Sequence, residues 1–421
     1  MKHYKKIATG ILLLLTSVGV WAQELQRLYT DAMAAYKTKD YHTFYSKIKE
    51  ADNIYPNHQG ILYQLGIASA LTGKKAEAIQ YLKQAILIDA DLRLQGIADF
   101  KSIKDSKEFS DLLALQREWQ SRVIHSQKFF SLQDRTIHPE PIEYDSKNNV
   151  FYLGSIHQRK VVKITPERKT TDFCKSAFEG MTSVMGIKID HKKNVLWVCS
   201  SPLQEMTGYD SLAKAMVFKF DLTSGQLLHK FVSTKKGVYG DLILDRNGKV
   251  YLSDSETNEL TVVNEKTSDI EPFYSGTEFR SLQGITFSDD EKYLYMADYA
   301  KGIFRLEMKT KKVISVSTQK DVSLKGIDGL YFYNHSLVAI QNGVVPARVT
   351  RYYLSKDNSS VINFEIIDRN HPDYGDPTLG VLNENAFYYI ANSPWSEYDA
   401  QHHLKPVDQL KDVVVLKAEL N

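Results

Sequence analysis

Two periodicities divide the chain. Leu62, Leu65, Gly66, Ala78, Leu82 and Ala85 fall on one helical period, broken at Thr72-Gly73-Lys74. Thirty-four residues upstream Leu28, Ala32, Phe44, Ile48 and Ala51 take the same offsets, and a further helical piece runs from Leu92 to Trp119. From about Ser126 the period drops from 3.6 to 2 and stays there. The pattern predicts helices over residues 23–120 and strands over 126–421.

The strand region repeats itself. Each unit opens on a Gly- or Pro-flanked strand, turns at Asp, Asn, Gly or Lys, and continues into an aromatic or β-branched strand. The opening strands are Pro141–Asp145, Gly186–Asp190, Gly240–Asp245, Gly284–Asp289, Asp328–Phe332 and Pro377–Leu382. Six units at roughly 40–55-residue spacing predict a six-bladed β-propeller, because one twisted sheet cannot bury both its faces alone and a ring of like sheets can. Lys128–Leu132 lies ahead of the first unit. It is expected to close the ring beside Val413–Leu416.

The helical region, with small residues where helices would cross, resembles the tetratricopeptide repeat. That resemblance implies either a docking surface for a peptide or protein partner, or a plain helical hairpin domain with no partner. The fold class expected is therefore α+β multidomain: an all-β propeller behind a small N-terminal α-helical domain.

Composition changes this picture little. The net charge is +2 with 25% charged residues of both signs interspersed, which excludes a general nucleic-acid surface. Met1–Lys6 is basic, Ile7–Val20 apolar, and Val20-Trp21-Ala22 offers small residues at a cleavage site. Residues 1–22 thus read as a signal peptide, and the mature protein is expected to be exported, periplasmic or secreted, without a stable membrane anchor. Cys174 and Cys199 could form one disulfide in such a compartment or remain two buried thiols.

Candidate chemistry gathers at the heads of the opening strands, which would converge on one mouth of the central channel. The heads are Glu140, Met185, Asp241, Gln283, Asp328 and Asp376. Glu140 is set between Pro139 and Pro141, which restrict its backbone. Carboxylates crowded at one mouth repel unless a cation or protons intervene, and hard oxygens suit calcium or magnesium. His138, Asp376, Asn342 and Trp395 are candidates for a substrate pocket; His371 could also face the mouth, and His402-His403 are expected in a solvated insert.

Pro139–Asp145 with Phe151–Ser155, Gly326–Leu330 and Leu282–Ser288 resembles the senescence-marker-protein-30/gluconolactonase/luciferin-regenerating-enzyme-like family over about residues 126–420. The resemblance implies a six-bladed propeller with a divalent cation in the channel, calcium first, with magnesium or zinc as the other choices. It implies Glu140, Gln283 and Asp328 as metal ligands, Gln283 standing where the family has Asn. It also implies metal-assisted hydrolysis of a lactone or related ester, a small-molecule substrate, with Asp328 or Asp241 taking a proton from water. In the third unit Gly240-Asp241 replaces the family's Asn-Asp. The rival expectation is a non-catalytic ligand- or protein-binding propeller. The sequence has no Gly-x-Ser-x-Gly elbow, His-Glu-x-x-His, Walker loop or dinucleotide fingerprint.

Overall fold

The structure, a computed structural model, describes residues 19–421. The signal-peptide reading of residues 1–22 therefore falls almost wholly outside the described residues. No helix among them is long and apolar enough to cross a membrane. The described residues divide into two compact units, one ending at Gln120 and the other spanning Ser121–Asn421.

The first unit is helical: α1 (Gly19–Lys37), α2 (Tyr41–Ile54), α3 (Gln59–Leu71), α4 (Lys75–Ile88) and α5 (Lys107–Gln120). Successive helices pack on one another. The span of α2 recurs as that of α4 34 residues on, so the period read in the sequence is kept in space. Phe44, Ile48 and Ala51 of α2, like Ala78, Leu82 and Ala85 of α4, are buried. Gly66 is small because a Cβ there would meet Leu82 Cδ2 at 2.6 Å. Phe100, Phe109 and Leu112 belong to the same core and close its end.

The second unit is six sheets, antiparallel except where Ser317–Thr318 runs parallel to Ser360–Arg369 in the fifth. Their inner strands are Pro139–Asp145, Ser183–Asp190, Tyr239–Leu244, Leu282–Phe287, Ile327–Tyr333 and Gly380–Asn383. Each inner strand packs against the next and the sixth against the first, so the ring is closed. The sixth sheet is completed by Ser126–Leu132, with Lys128 opposite Leu416 and Leu132 opposite Val413, as the sequence requires. The propeller unit begins slightly before the expected boundary. Val123–Ile124 pairs with the outer strand of the fifth blade, at Arg369 and Asp368. Apolar clusters fill the spaces between successive blades; Trp197 and Phe231 of the second share one with Leu242 and Leu252 of the third. Cys174 and Cys199 are both free and buried.

Five inner strands share one irregularity. Between Pro139 and Ile142, Val184 and Gly186, Tyr239 and Asp241, Leu282 and Ile285, and Ile327 and Leu330, the pairing slips by one residue. Each slip is a β-bulge, which leaves a residue outside the ladder and re-aims its side chain. It recurs at the same end of five blades, where the candidate chemistry lies.

Candidate functional site at the channel mouth

Aligning the inner strands by pairing partner identifies equivalent positions. Ile142, Ile187, Leu242, Ile285, Leu330 and Gly380 oppose Leu153, Val198, Leu252, Met296, Ala339 and Tyr389. The positions two residues earlier are Glu140, Met185, Gly240, Gln283, Asp328 and Thr378. This corrects two of the expected heads. In the third blade the equivalent residue is Gly240, not Asp241. In the sixth it is Thr378, not Asp376. In both blades an acid stands one or two residues from a head that carries no charge, so the sequence pattern slipped by one and by two.

Glu140 is 5% exposed and its Oε2 accepts the Trp395 indole N–H at 2.9 Å. Asp328, half-buried, accepts at Oδ2 from Asn342 Nδ2 at 2.8 Å. Gln283 donates from Nε2 to Ser281 Oγ at 3.2 Å. Glu140 Oε1, Asp328 Oδ1 and Gln283 Oε1 accept no hydrogen bond from the described residues. Each carboxylate is thus held by one donor and keeps one oxygen free.

The acids sense one another. Burial pushes the Glu140 carboxyl well above its usual range, and the charge on Asp328 pushes it further; Trp395 pulls the other way, while Asp376 and Asp241 add to the rise. Burial raises Asp328 to about 7 against the Asn342 hydrogen bond, with Asp241 and Asp376 adding to the rise. The structure therefore brings Glu140, Asp328, Asp376 and Asp241 within electrostatic reach of one another.

Asp241 is differently employed. Both its oxygens are taken by backbone amides, Leu242 N–H at 2.8 Å and Ile285 N–H at 3.2 Å, so it staples the third inner strand to the fourth. Burial raises it to about 6, opposed first by the charge of Lys188. With both oxygens occupied it is a poorer proton acceptor than Asp328. Asp376 accepts from Ser396 N–H at 3.1 Å.

Sequence reasoning missed the deeper ring. Three residues along from Glu140 and Met185 lie Glu143 and Lys188, whose side chains form an ion pair of 3.1 Å at 11% and 19% exposure. Burial works against the Lys188 charge, yet Glu143 and Asp241 outweigh it and the amine is held protonated. Aligning the inner strands at three positions past the head would have found this pair.

The connection Ala391–Asp412 in the sixth blade forms a strap. Ser393 Oγ donates to Pro139 O at 2.7 Å, Trp395 reaches Glu140, and Tyr398 Oη lies 2.7 Å from His138 Nδ1. Farther on, His402 Nδ1 lies 2.7 Å from Glu205 Oε1, in a loop of the second blade. The strap thus crosses the first blade. This corrects the expectation of a solvated insert: His402 is 24% exposed, while His403 is 78% exposed. His138 is fully buried, which drives its basicity well down, and its ring stands perpendicular to Trp395 at 4.6 Å. It supports Trp395 from behind. His371 caps its own turn, accepting from Asp373 N–H at 3.1 Å.

A cation fits this set by its chemistry. Among the described residues no three His, Cys, Asp or Glu side chains are grouped to hold a metal. The candidate set has two carboxylates and reaches three ligands only through the Gln283 carbonyl. All three are hard oxygens, which suits calcium or magnesium rather than zinc.

No family model matches the sequence. No curated protein matches it either. Similar solved structures include a gluconolactonase from Xanthomonas campestris, 11% identical, covering 67% of this chain and 86% of that one with a TM-score of 0.47. They include a luciferin-regenerating enzyme, 15% identical, covering 72% and 96% with a TM-score of 0.49. A PQQ-bound aldose sugar dehydrogenase from Streptomyces coelicolor is 9% identical, covering 71% and 98% with a TM-score of 0.50. Such likeness at such low identity is a likeness of fold: the chain carries a six-bladed β-propeller shared by proteins of differing chemistry.

Proposed function

We propose that the channel mouth binds a divalent cation, calcium or magnesium, and hydrolyses a small lactone or related ester. The observation that carries this reading is the pair Glu140 and Asp328. Two carboxylates from the first and fifth blades are crowded in a poorly solvated mouth, each held by a single N–H donor and each keeping an oxygen free. A mouth built this way is unfavourable empty and favourable around a cation.

Glu140, Asp328 and the Gln283 carbonyl would hold the ion. When bound, the cation would polarise the substrate carbonyl and raise the acidity of water. Asp328 takes the proton of the attacking water as its oxygen bonds to the acyl carbon. The ring C–O bond breaks and the proton passes to the departing alkoxide, giving a hydroxy acid. Asn342 holds the Asp328 carboxylate plane through this exchange, and Trp395 does the same for Glu140. Asp241 keeps the third and fourth strands in register beneath them.

A panel of lactones and aryl esters assayed in calcium, magnesium and chelator tests this. Turnover should appear with the cation and vanish with chelator. Glu140→Gln should lower the chelator-sensitive rate at least about a hundredfold, the loss usual for a group that stabilises developing charge. Unchanged turnover in that variant would sink the assignment. The second reading, a ligand-binding propeller without catalysis, draws on Gly240, which supplies no side chain at the third ring position. It is favoured if calcium binds and nothing in the panel is hydrolysed.

A further inference from the structure

We propose that Tyr299 is a positioning residue for Asp328 and acts through Asn342; this rests on the reading that Asp328 holds a cation. Tyr299 follows the second strand of the fourth blade, Tyr293–Asp298, and Asn342 follows that of the fifth, Ser336–Gln341. Asp298 pairs with Leu282 as Gln341 pairs with Ile327, so the two side chains occupy the same position in successive blades. The Tyr299 hydroxyl donates to Asn342 Oδ1 at 3.0 Å, and Asn342 Nδ2 donates to Asp328 Oδ2 at 2.8 Å.

A carboxamide can present either end to its neighbour. A carbonyl turned toward Asp328 would repel it; an N–H₂ holds it. The phenol decides between the two, because a donor on one side of the amide fixes the oxygen there and the nitrogen opposite. A phenol is protonated at neutral pH and so can donate here. Tyr299 is 36% exposed, so core packing does not account for its place. The backbone is shaped to receive it: a Cβ on residue 343 would meet Tyr299 Cζ at 2.4 Å and Oη at 2.6 Å, and the residue there is Gly343.

The test is calorimetric titration of calcium into the full chain stripped of metal at pH 7. Tyr299→Phe keeps the ring and removes the donor. It should weaken calcium about tenfold or more, the usual cost of removing a group that orients a ligand. Its melting midpoint in chelator should equal that of the parent. Asn342→Ala should weaken calcium as well, and adding Tyr299→Phe to it should cost nothing further. Parental affinity in Tyr299→Phe, additive losses in the double variant, or a lowered midpoint in chelator would each overturn the proposal. A parent protein that binds neither calcium nor magnesium overturns the cation reading itself, which separates the two failures.

Discussion

Asp328→Asn should raise the melting midpoint of the metal-free protein at pH 8 by about 5–10 °C and abolish its stabilisation by calcium. The reason is a carboxylate ionised in the wrong surroundings. Burial, helped by Asp241 and Asp376, lifts Asp328 to about 7 in the folded state. In the unfolded chain the same group ionises near about 3.9. Between those values the folded state binds the extra proton, so the contribution to stability is fully present below about 3.9 and is lost as pH rises through about 7. Three pH units correspond to on the order of 4 kcal/mol. Raised acids at Glu140 and Asp241 act with the same sign.

The parent in chelator should therefore melt progressively lower from pH 5 to pH 8. Excess calcium should remove most of that slope, because an ion replaces the proton. The substituted amide carries no charge to gain or lose, so the variant's curve in chelator should be flatter and insensitive to the ion. Thermal melts at four pH values, with and without calcium, read all of this. A parent midpoint that rises with pH in chelator would contradict it.

The second large effect is expected at a glycine. Gly284→Ala should destabilise the propeller by about 2–3 kcal/mol and disable calcium binding with it. A Cβ there would lie 2.5 Å from Asp328 O and 2.6 Å from Leu330 N. Those are backbone atoms of the neighbouring inner strand, so no rotamer change relieves the clash. The fifth strand must move, and Asp328 moves with it. Gly240→Ala is the control. Its Cβ meets nothing nearer than Gln283 Oε1 at 3.4 Å, and the smaller freedom of the unfolded chain should offset any loss. Denaturant melts of the pair in chelator should differ by the amount stated; equal stabilities would mean the inner strands yield more easily than their packing implies.

Much of the fold was legible because it is written in local alternation. A strand buried on both faces must be apolar or aromatic, and Val150–Leu153 and Tyr293–Ala297 announce themselves that way. The closing strand was legible because Lys128–Leu132 had no partner in its own unit. The site was legible at four heads, Glu140, Met185, Gln283 and Asp328, and most plainly at the two acids, where charge opens an otherwise apolar strand. Gly240 and Thr378 were not, since neither carries charge and an acid stands within two residues of each, at Asp241 and Asp376. Trp395 was named but not its role: its hydrogen bond to Glu140 spans more than half the chain and depends on how a polar strap folds back. Tyr299 had a readable signal, the alignment of Asp298-Tyr299 with Gln341-Asn342 at equivalent strand ends.

The matched strand ends make the mouth a set of six interchangeable seats, three of them filled by residues that donate no ligand carboxylate or amide: Met185, Gly240 and Thr378. The seat at Gly240 has room for a side chain, with its neighbours Gln283 Oε1 and Ser253 Oγ at 3.4 and 3.8 Å. Gly240→Asn would install a further amide there and should tighten calcium in the same titration. On the proposed cation reading, a chain that leaves this seat bare sets its grip on the ion below what its architecture permits, and one codon separates it from a firmer hold.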